Sequence, residues 1–123
     1  MQQFLIVGIG SFLGGGLRYL ISVFFNDKVN VDFPYATLSV NILGCLLLGV
    51  CYGLFEKSLI NSDWKLFLTT GVCGGFTTFS TFTNESLQLL KQGNIIPMLI
   101  YILISIVVGI ALTYAGYLLA KSG

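Results

Sequence analysis

The chain has 123 residues, of which 55% are hydrophobic and only 9% are charged. Soluble domains carry about 25% charged residues, so this composition indicates an integral membrane protein. A formal net charge of +1 gives no basic surface for nucleic acid. The absence of histidine, of a nucleophile beside a base and of clustered cysteines argues against an enzyme and against a zinc site.

Four apolar segments follow one another along the chain, each close to the length of about 20 residues that a spanning helix needs. The predicted helices cover about residues 4–25, 33–55, 64–90 and 95–120. The polar connections between them, at 26–32, 56–63 and 91–94, are too short to hold another domain. The sequence therefore predicts one four-helix transmembrane domain over residues 1–123.

The lysines are almost evenly divided between the two sides of such a domain. With four spans, Lys57, Lys65 and Lys121 lie on one side, and Lys28 and Lys91 lie on the other. Orientation normally follows a clear excess of Lys and Arg on the cytoplasmic side. The near balance is compatible with insertion in both orientations, and equally with counts too small to interpret, so charge alone leaves both open.

Two polar residues lie within the first two apolar segments, where polar groups are costly and suggest function. Arg18, in the first, either reaches the interface with its long side chain or forms a buried cation that holds helix ends or attracts anions. Asn41, in the second, either bonds helix to helix or presents its amide to an aqueous path, where it would help to replace the water around an anion.

The third segment contains "GVCGGFTTFSTFTNE", residues 71–85. Gly74 and Gly75, followed by a run of Ser and Thr, lower helix propensity and offer side chains that compete for backbone hydrogen bonds. We therefore predict a break in this helix. At membrane depth a break is tolerated only where the backbone is buried in protein or lines a water-filled cavity.

The same stretch has phenylalanines three residues apart, at Phe76, Phe79 and Phe82. On a regular helix this stripe is more often packing than a binding site. The positive edge of an aromatic ring can also face an anion, without the full charge that would trap it. Spacing alone favours packing and leaves the second interpretation open.

Three motifs together resemble a known family. The stretches "GGGLRY", "ATLSVNILG" and above all "GVCGGFTTFSTFTNE" are similar to the successive signatures of the Fluc (CrcB) fluoride channels, and the likeness covers the whole chain. It implies an all-α integral membrane protein with four transmembrane helices per subunit and a broken third helix. It also implies an antiparallel dual-topology homodimer in the inner or plasma membrane of a prokaryote, which exports cytoplasmic fluoride passively and protects the cell from its toxicity.

The resemblance also implies functional residues and a bound cation. The backbone carbonyls of Gly74 and Thr77 would hold a structural sodium ion at the centre of the dimer. Arg18 and Glu85 match two family residues with structural or electrostatic roles. The residues that match the fluoride pore are Asn41, Phe79, Phe82, Ser80, Thr81, Tyr101 and Ser105. Thr113 is a further candidate for the polar track on the fourth helix.

A proton-coupled small multidrug exporter is the alternative from another functional class, since it also has about this length and four helices. Its chemistry requires a carboxylate in the middle of the binding chamber, typically on the first helix. The predicted first helix has Arg18 and no acid, and Glu85 lies near the end of its segment. A subunit without transport activity would leave the hydroxyl and phenylalanine run unexplained.

Overall fold

The computed structural model describes the backbone of residues 1–28 and 33–123 and the side chains of residues 1–25 and 33–123. Most of the predicted first connection, 26–32, including the side chain of Lys28, therefore lies outside the described part. The described residues contain no strand. The helices are α1 (Gln2–Lys28), α2 (Tyr35–Glu56), α3 (Ser62–Leu66), a π-helical stretch (Phe67–Cys73), α4 (Gly74–Phe76), α5 (Ser80–Lys91) and α6 (Ile95–Ser122).

In the part of the chain that the structure describes, three helices are long and apolar enough to cross a membrane: Gln2–Phe25 within α1, α2 and α6. This confirms the prediction of an all-α integral membrane protein. The predicted third helix is divided into the short elements from Ser62 to Lys91, which we call the third segment. None of these elements alone reaches the length of a span. A fourth span therefore requires the pieces of the third segment to cross together.

The interruption of the third segment lies within the predicted stretch, after its two glycines. Gly74 and Gly75 are helical, and the helix ends at Phe76. Thr77 is extended, with φ −83° and ψ 159°, and α5 begins at Ser80. The π-helical stretch before α4 had no signal in the sequence. The break is therefore present, but it lies among the hydroxyl-bearing residues rather than at the glycine pair.

The glycines instead allow α1 to approach the third segment closely. A Cβ atom on Gly75 would lie 2.5 Å from the carbonyl oxygen of Ser11, and one on Gly14 would overlap the carbonyl of Val72. Backbones can meet only where such side chains are missing, which is how helices commonly associate in lipid. Packing against α1 explains why Gly75, a residue of low helix propensity, remains helical here.

The other close helix pair is α2 and α6, which run against each other over much of their length. The Thr113 hydroxyl of α6 donates to the carbonyl oxygen of Cys45 on α2 at 3.0 Å. Val40 of α2 and Tyr101 of α6 are almost completely buried. Large apolar side chains such as Phe12 and Ile110 are exposed, as expected for surfaces that face lipid or another subunit.

Candidate functional site

The interruption of the third segment is bonded to α2 by one side chain. The Asn41 amide nitrogen donates to the carbonyl oxygen of Thr78 at 3.0 Å, and the Asn41 amide oxygen accepts from the backbone N–H of Thr78 at 2.8 Å. A helix break leaves backbone groups without their usual partners, and an unsatisfied group is expensive in an apolar environment. Asn41 satisfies two of these groups at once and so stabilises the break.

A cavity of about 350 Å³ lies beside this break. Its wall brings together six of the residues that the sequence selected: Asn41, Gly74, Thr77, Phe79, Phe82 and Ser105. These residues come from α2, from both sides of the break and from α6, and they are separated by up to 64 positions in the chain. Only the packing of three elements places them around a common space.

Two of the aromatic rings on this wall have very different surroundings. Phe79 is 75% exposed, whereas Phe82 is partly buried. The centroid of the Phe82 ring lies 5.7 Å from that of Phe79 and 5.1 Å from that of the fully buried Tyr101. Phe82 is therefore held in an aromatic cluster, while Phe79 extends from the surface of the chain. Packing within one subunit explains the position of Phe82 but not that of Phe79.

Ser80 and Thr81 lie at the start of α5 and are not part of the cavity wall. The Thr78 hydroxyl oxygen accepts from the backbone N–H of Thr81 at 3.2 Å. It also lies 3.2 Å from the Thr81 hydroxyl oxygen and 3.4 Å from that of Ser80. The three hydroxyls form a cluster that satisfies the exposed start of the helix. Sequence reasoning did not select Thr78, which links this cluster to Asn41.

Arg18 reaches from α1 to the same break. Its Nε donates to the carbonyl oxygen of Gly75 at 3.1 Å, in a partly buried position. Near the C-terminal end of a helix, carbonyl groups have no intrahelical partners and carry partial negative charge. The geometry favours the interpretation of Arg18 as a cation that holds a helix end over one in which it extends to the interface.

Three buried side-chain oxygens have no hydrogen-bond partner among the described residues. They are Glu85 Oε1, the Tyr101 hydroxyl and the Ser105 hydroxyl. The buried Thr37 lies next to both Glu85 and Tyr101. Buried polar groups normally have partners in protein or water, so these oxygens point to a hydrated or ion-accessible space. Thr37 is part of the motif "ATLSVNILG", but nothing in its local sequence distinguished it from a packing residue.

The carbonyls predicted to hold a cation lie at the break itself. Arg18 donates a hydrogen bond to the carbonyl oxygen of Gly75, and Asn41 donates one to that of Thr78. Between residues 33 and 123, and in the described part of α1, no side chain donates to the carbonyl of Gly74 or Thr77. The described residues contain no cluster of His, Cys, Asp and Glu suited to a metal ion. Backbone oxygens at the break are the groups that would suit a hard cation there.

Comparison with known proteins agrees with the resemblance noted in the sequence. The profile of the family described as "CrcB-like protein, Camphor Resistance (CrcB)" matches residues 5–117. A Flavobacterium psychrophilum protein named "Fluoride-specific ion channel FluC" is 43% identical over 122 residues, which cover 98% of each chain. A Phocaeicola vulgatus protein of the same name is 49% identical over 110 residues, 89% of this chain and 91% of the relative. A Clostridium perfringens protein, also of that name, is 54% identical over 92 residues, 74% of this chain and 72% of the relative. The chain belongs to the CrcB family of integral membrane proteins.

Proposed function

We propose that this chain is the subunit of a fluoride-selective channel, which lets cytoplasmic fluoride leave a prokaryotic cell passively across its plasma membrane. The observation that carries the proposal is the single cavity that brings Asn41, Phe79, Phe82 and Ser105 together at the helix break. The names of the relatives point to the same ion. They favour a channel over the multidrug exporter and over an enzyme.

Selectivity for fluoride would come from several weak partners that replace its water shell. Asn41 uses one amide hydrogen on Thr78, and its second remains available for an anion. The Ser105 hydroxyl is buried, has no partner within residues 1–25 and 33–123, and can donate. The edges of the Phe79 and Phe82 rings carry partial positive charge. None of these groups is a full cation, so the ion can bind and leave quickly, as conduction requires.

The remaining pore residues extend this path. Tyr101 and Glu85 have buried oxygens that find no partner in the described part of the chain, and both residues adjoin Thr37. We assign this polar group to one end of the route. We assign Ser80 and Thr81 to the polar track as well. In the single subunit they lie outside the cavity wall, and their hydroxyls bond to that of Thr78. A second subunit would decide whether the ion meets them.

The functional unit is an antiparallel homodimer with dual topology. Phe79 is 75% exposed, and Gly74 on the same wall is exposed as well, so the cavity wall of one chain is incomplete. A second copy in the opposite orientation would cover this surface. The nearly even division of lysines between the two sides agrees with insertion both ways.

A structural sodium ion would lie at the centre of that dimer. Among the described residues, no side chain donates to the carbonyls of Gly74 and Thr77, unlike those of their neighbours Gly75 and Thr78. Oxygen atoms of unwound backbone are suitable ligands for sodium. Two oxygens cannot surround a cation, but a two-fold axis would supply the same two from the second subunit. The ion would neutralise the carbonyl ends of two broken helices and join the subunits.

Purified protein in liposomes tests the channel. Vesicles loaded with fluoride and made permeable to potassium with valinomycin should release fluoride rapidly, while vesicles loaded with chloride should release little. Equal rates for the two anions would remove the claim of selectivity. Proton-driven uptake of a cationic dye, without fluoride release, would instead support the exporter.

A further inference from the structure

A second and larger cavity, of about 670 Å³, follows the groove between α2 and α6. Cys45, Ser105 and Ile106 line both this groove and the cavity at the break. The two spaces therefore adjoin at these three residues, and Ser105 faces both. The far end of the groove is lined by Glu56 and Tyr117.

That far end carries a small charged cluster. The Tyr117 hydroxyl donates to Glu56 Oε1 at 2.8 Å, and Lys121 Nζ donates to the Tyr117 hydroxyl at 3.1 Å. Lys121 Nζ and Glu56 Oε1 are 3.4 Å apart, and both side chains are about half exposed. The positive and negative charges nearly cancel at a distance. Removal of the Glu56 charge would leave the positive charge of Lys121 at the groove end, and removal of the Lys121 charge would leave the negative charge of Glu56.

The groove offers few donors that could hold a bare anion. Its wall is mostly apolar, and the hydrogen of the Thr113 hydroxyl is directed to the carbonyls of Cys45 and Gly109, at 3.0 and 3.1 Å. An anion in so wide a space would keep much of its water. Long-range electrostatics, rather than direct contact, would then control how often anions reach Ser105.

We propose that Glu56 and Lys121 set the electrostatic potential at the α2/α6 end of the anion route, and thereby the rate at which anions reach the cavity. This inference rests on the proposed fluoride channel. Lys121 attracts anions to the groove, Glu56 repels them, and their pairing keeps the groove end close to neutral. Neither residue touches the ion at the break, so selectivity is independent of both.

The other two lysines at this side are placed differently. Lys65 Nζ lies 4.4 Å from the Phe55 ring centroid and 5.0 Å from the Tyr52 ring centroid. Lys57 Nζ donates to the carbonyl oxygen of Gly123 at 2.6 Å, at the end of α6 that carries Lys121, so its charge also acts on this groove end.

Lys91 lies at the end of α5, on the other side of the predicted domain. Lys91→Gln removes the same charge away from the cluster, which makes it the matched control for Lys121→Gln.

Single-channel fluoride currents in planar bilayers test the proposal with the full chain. At about 10 mM ionic strength, where charges act over about 30 Å, Glu56→Gln should raise the current about twofold, and Lys121→Gln should lower it about twofold. Lys91→Gln should change it much less. At about 1 M salt, where the screening length falls to about 3 Å, the differences should disappear.

Three results would overturn the proposal while leaving the channel intact: effects of the same sign for both variants, effects no larger than that of Lys91→Gln, or effects that persist in high salt. Each would mean that a partner helix fills the groove or that the ion does not pass it. A wild-type protein without fluoride current would reject the proposed function itself. The ratio of fluoride to chloride current should remain that of wild type in both charge variants.

Discussion

Replacement of Asn41 by alanine tests whether this side chain holds the helix break. The substitution removes both hydrogen bonds to Thr78, at 3.0 and 2.8 Å, and leaves a backbone N–H and a carbonyl at membrane depth without their partner. The side chain is only partly buried and faces a cavity, so water can replace some of what is lost. We expect Asn41→Ala to reduce both stability and fluoride flux.

The magnitude follows from the number of bonds. Interhelical side-chain hydrogen bonds in membrane proteins contribute about 0.6 kcal/mol on average and up to about 1.7 kcal/mol each. Two such bonds give a loss of about 1 to 3 kcal/mol in the free energy of unfolding. An unsatisfied buried backbone group costs about 1 to 3 kcal/mol. In a dry cavity the loss of unfolding free energy should therefore lie in the upper half of the range expected from the two hydrogen bonds.

Unfolding in mixed micelles, titrated with sodium dodecyl sulfate, measures this free energy, and flux from liposomes measures conduction. Ser39→Ala is the matched control, because Ser39 is an exposed polar residue two positions away on α2. It should leave both quantities near wild type. If Asn41→Ala abolishes flux but changes the unfolding free energy no more than Ser39→Ala does, Asn41 is only an ion ligand and the structural role is refuted.

Four further substitutions have defined expectations. Phe79→Ile and Phe82→Ile should each slow fluoride efflux about tenfold, equivalent to about 1.4 kcal/mol, with the proposed dimer intact by size-exclusion chromatography. Wild-type flux would show that both rings only pack. Arg18→Gln removes a charge-assisted hydrogen bond to the end of α4. The free energy of unfolding should fall by about 1.5 to 3 kcal/mol. An unchanged value would mean that the guanidinium is solvated at the interface. Gly14→Ala places a Cβ against the carbonyl of Val72 and should cost about 1 to 3 kcal/mol. Gly16→Ala, where no atom lies within 4 Å, should be tolerated, and equal stability of the two alanine variants would contradict the close approach of α1.

The broad architecture was accessible from the sequence because lipid imposes simple requirements on length and polarity. Uncharged apolar runs predicted α2 and α6, and the observed helices begin and end within about two residues of those predictions. The break in the third segment was also predicted, since the run from Thr77 to Thr83 weakens a helix locally. The structure places the break within that run, at Thr77, and Gly75 before it stays helical against α1.

The candidate site was selected by resemblance more than by physics. Spacing alone left Phe79 and Phe82 as packing residues, and only the structure separates them, with Phe82 against Tyr101 and Phe79 exposed. Thr78 and Thr37 were missed, because a threonine next to other hydroxyls or in an apolar helix has no distinguishing local signal. Their importance arises from partners 37 or more positions away in the chain.

The sequence by itself determined that the chain is an all-helical membrane protein with a weak point after its paired glycines, because hydropathy and helix propensity act over one or two turns. The tertiary structure alone decided how that weak point is held. Arg18 reaches it across 57 positions and Asn41 across 37. Hydrogen bonds of such separation depend on the packing of α1 and α2 against the third segment, and local composition carries no information about that packing.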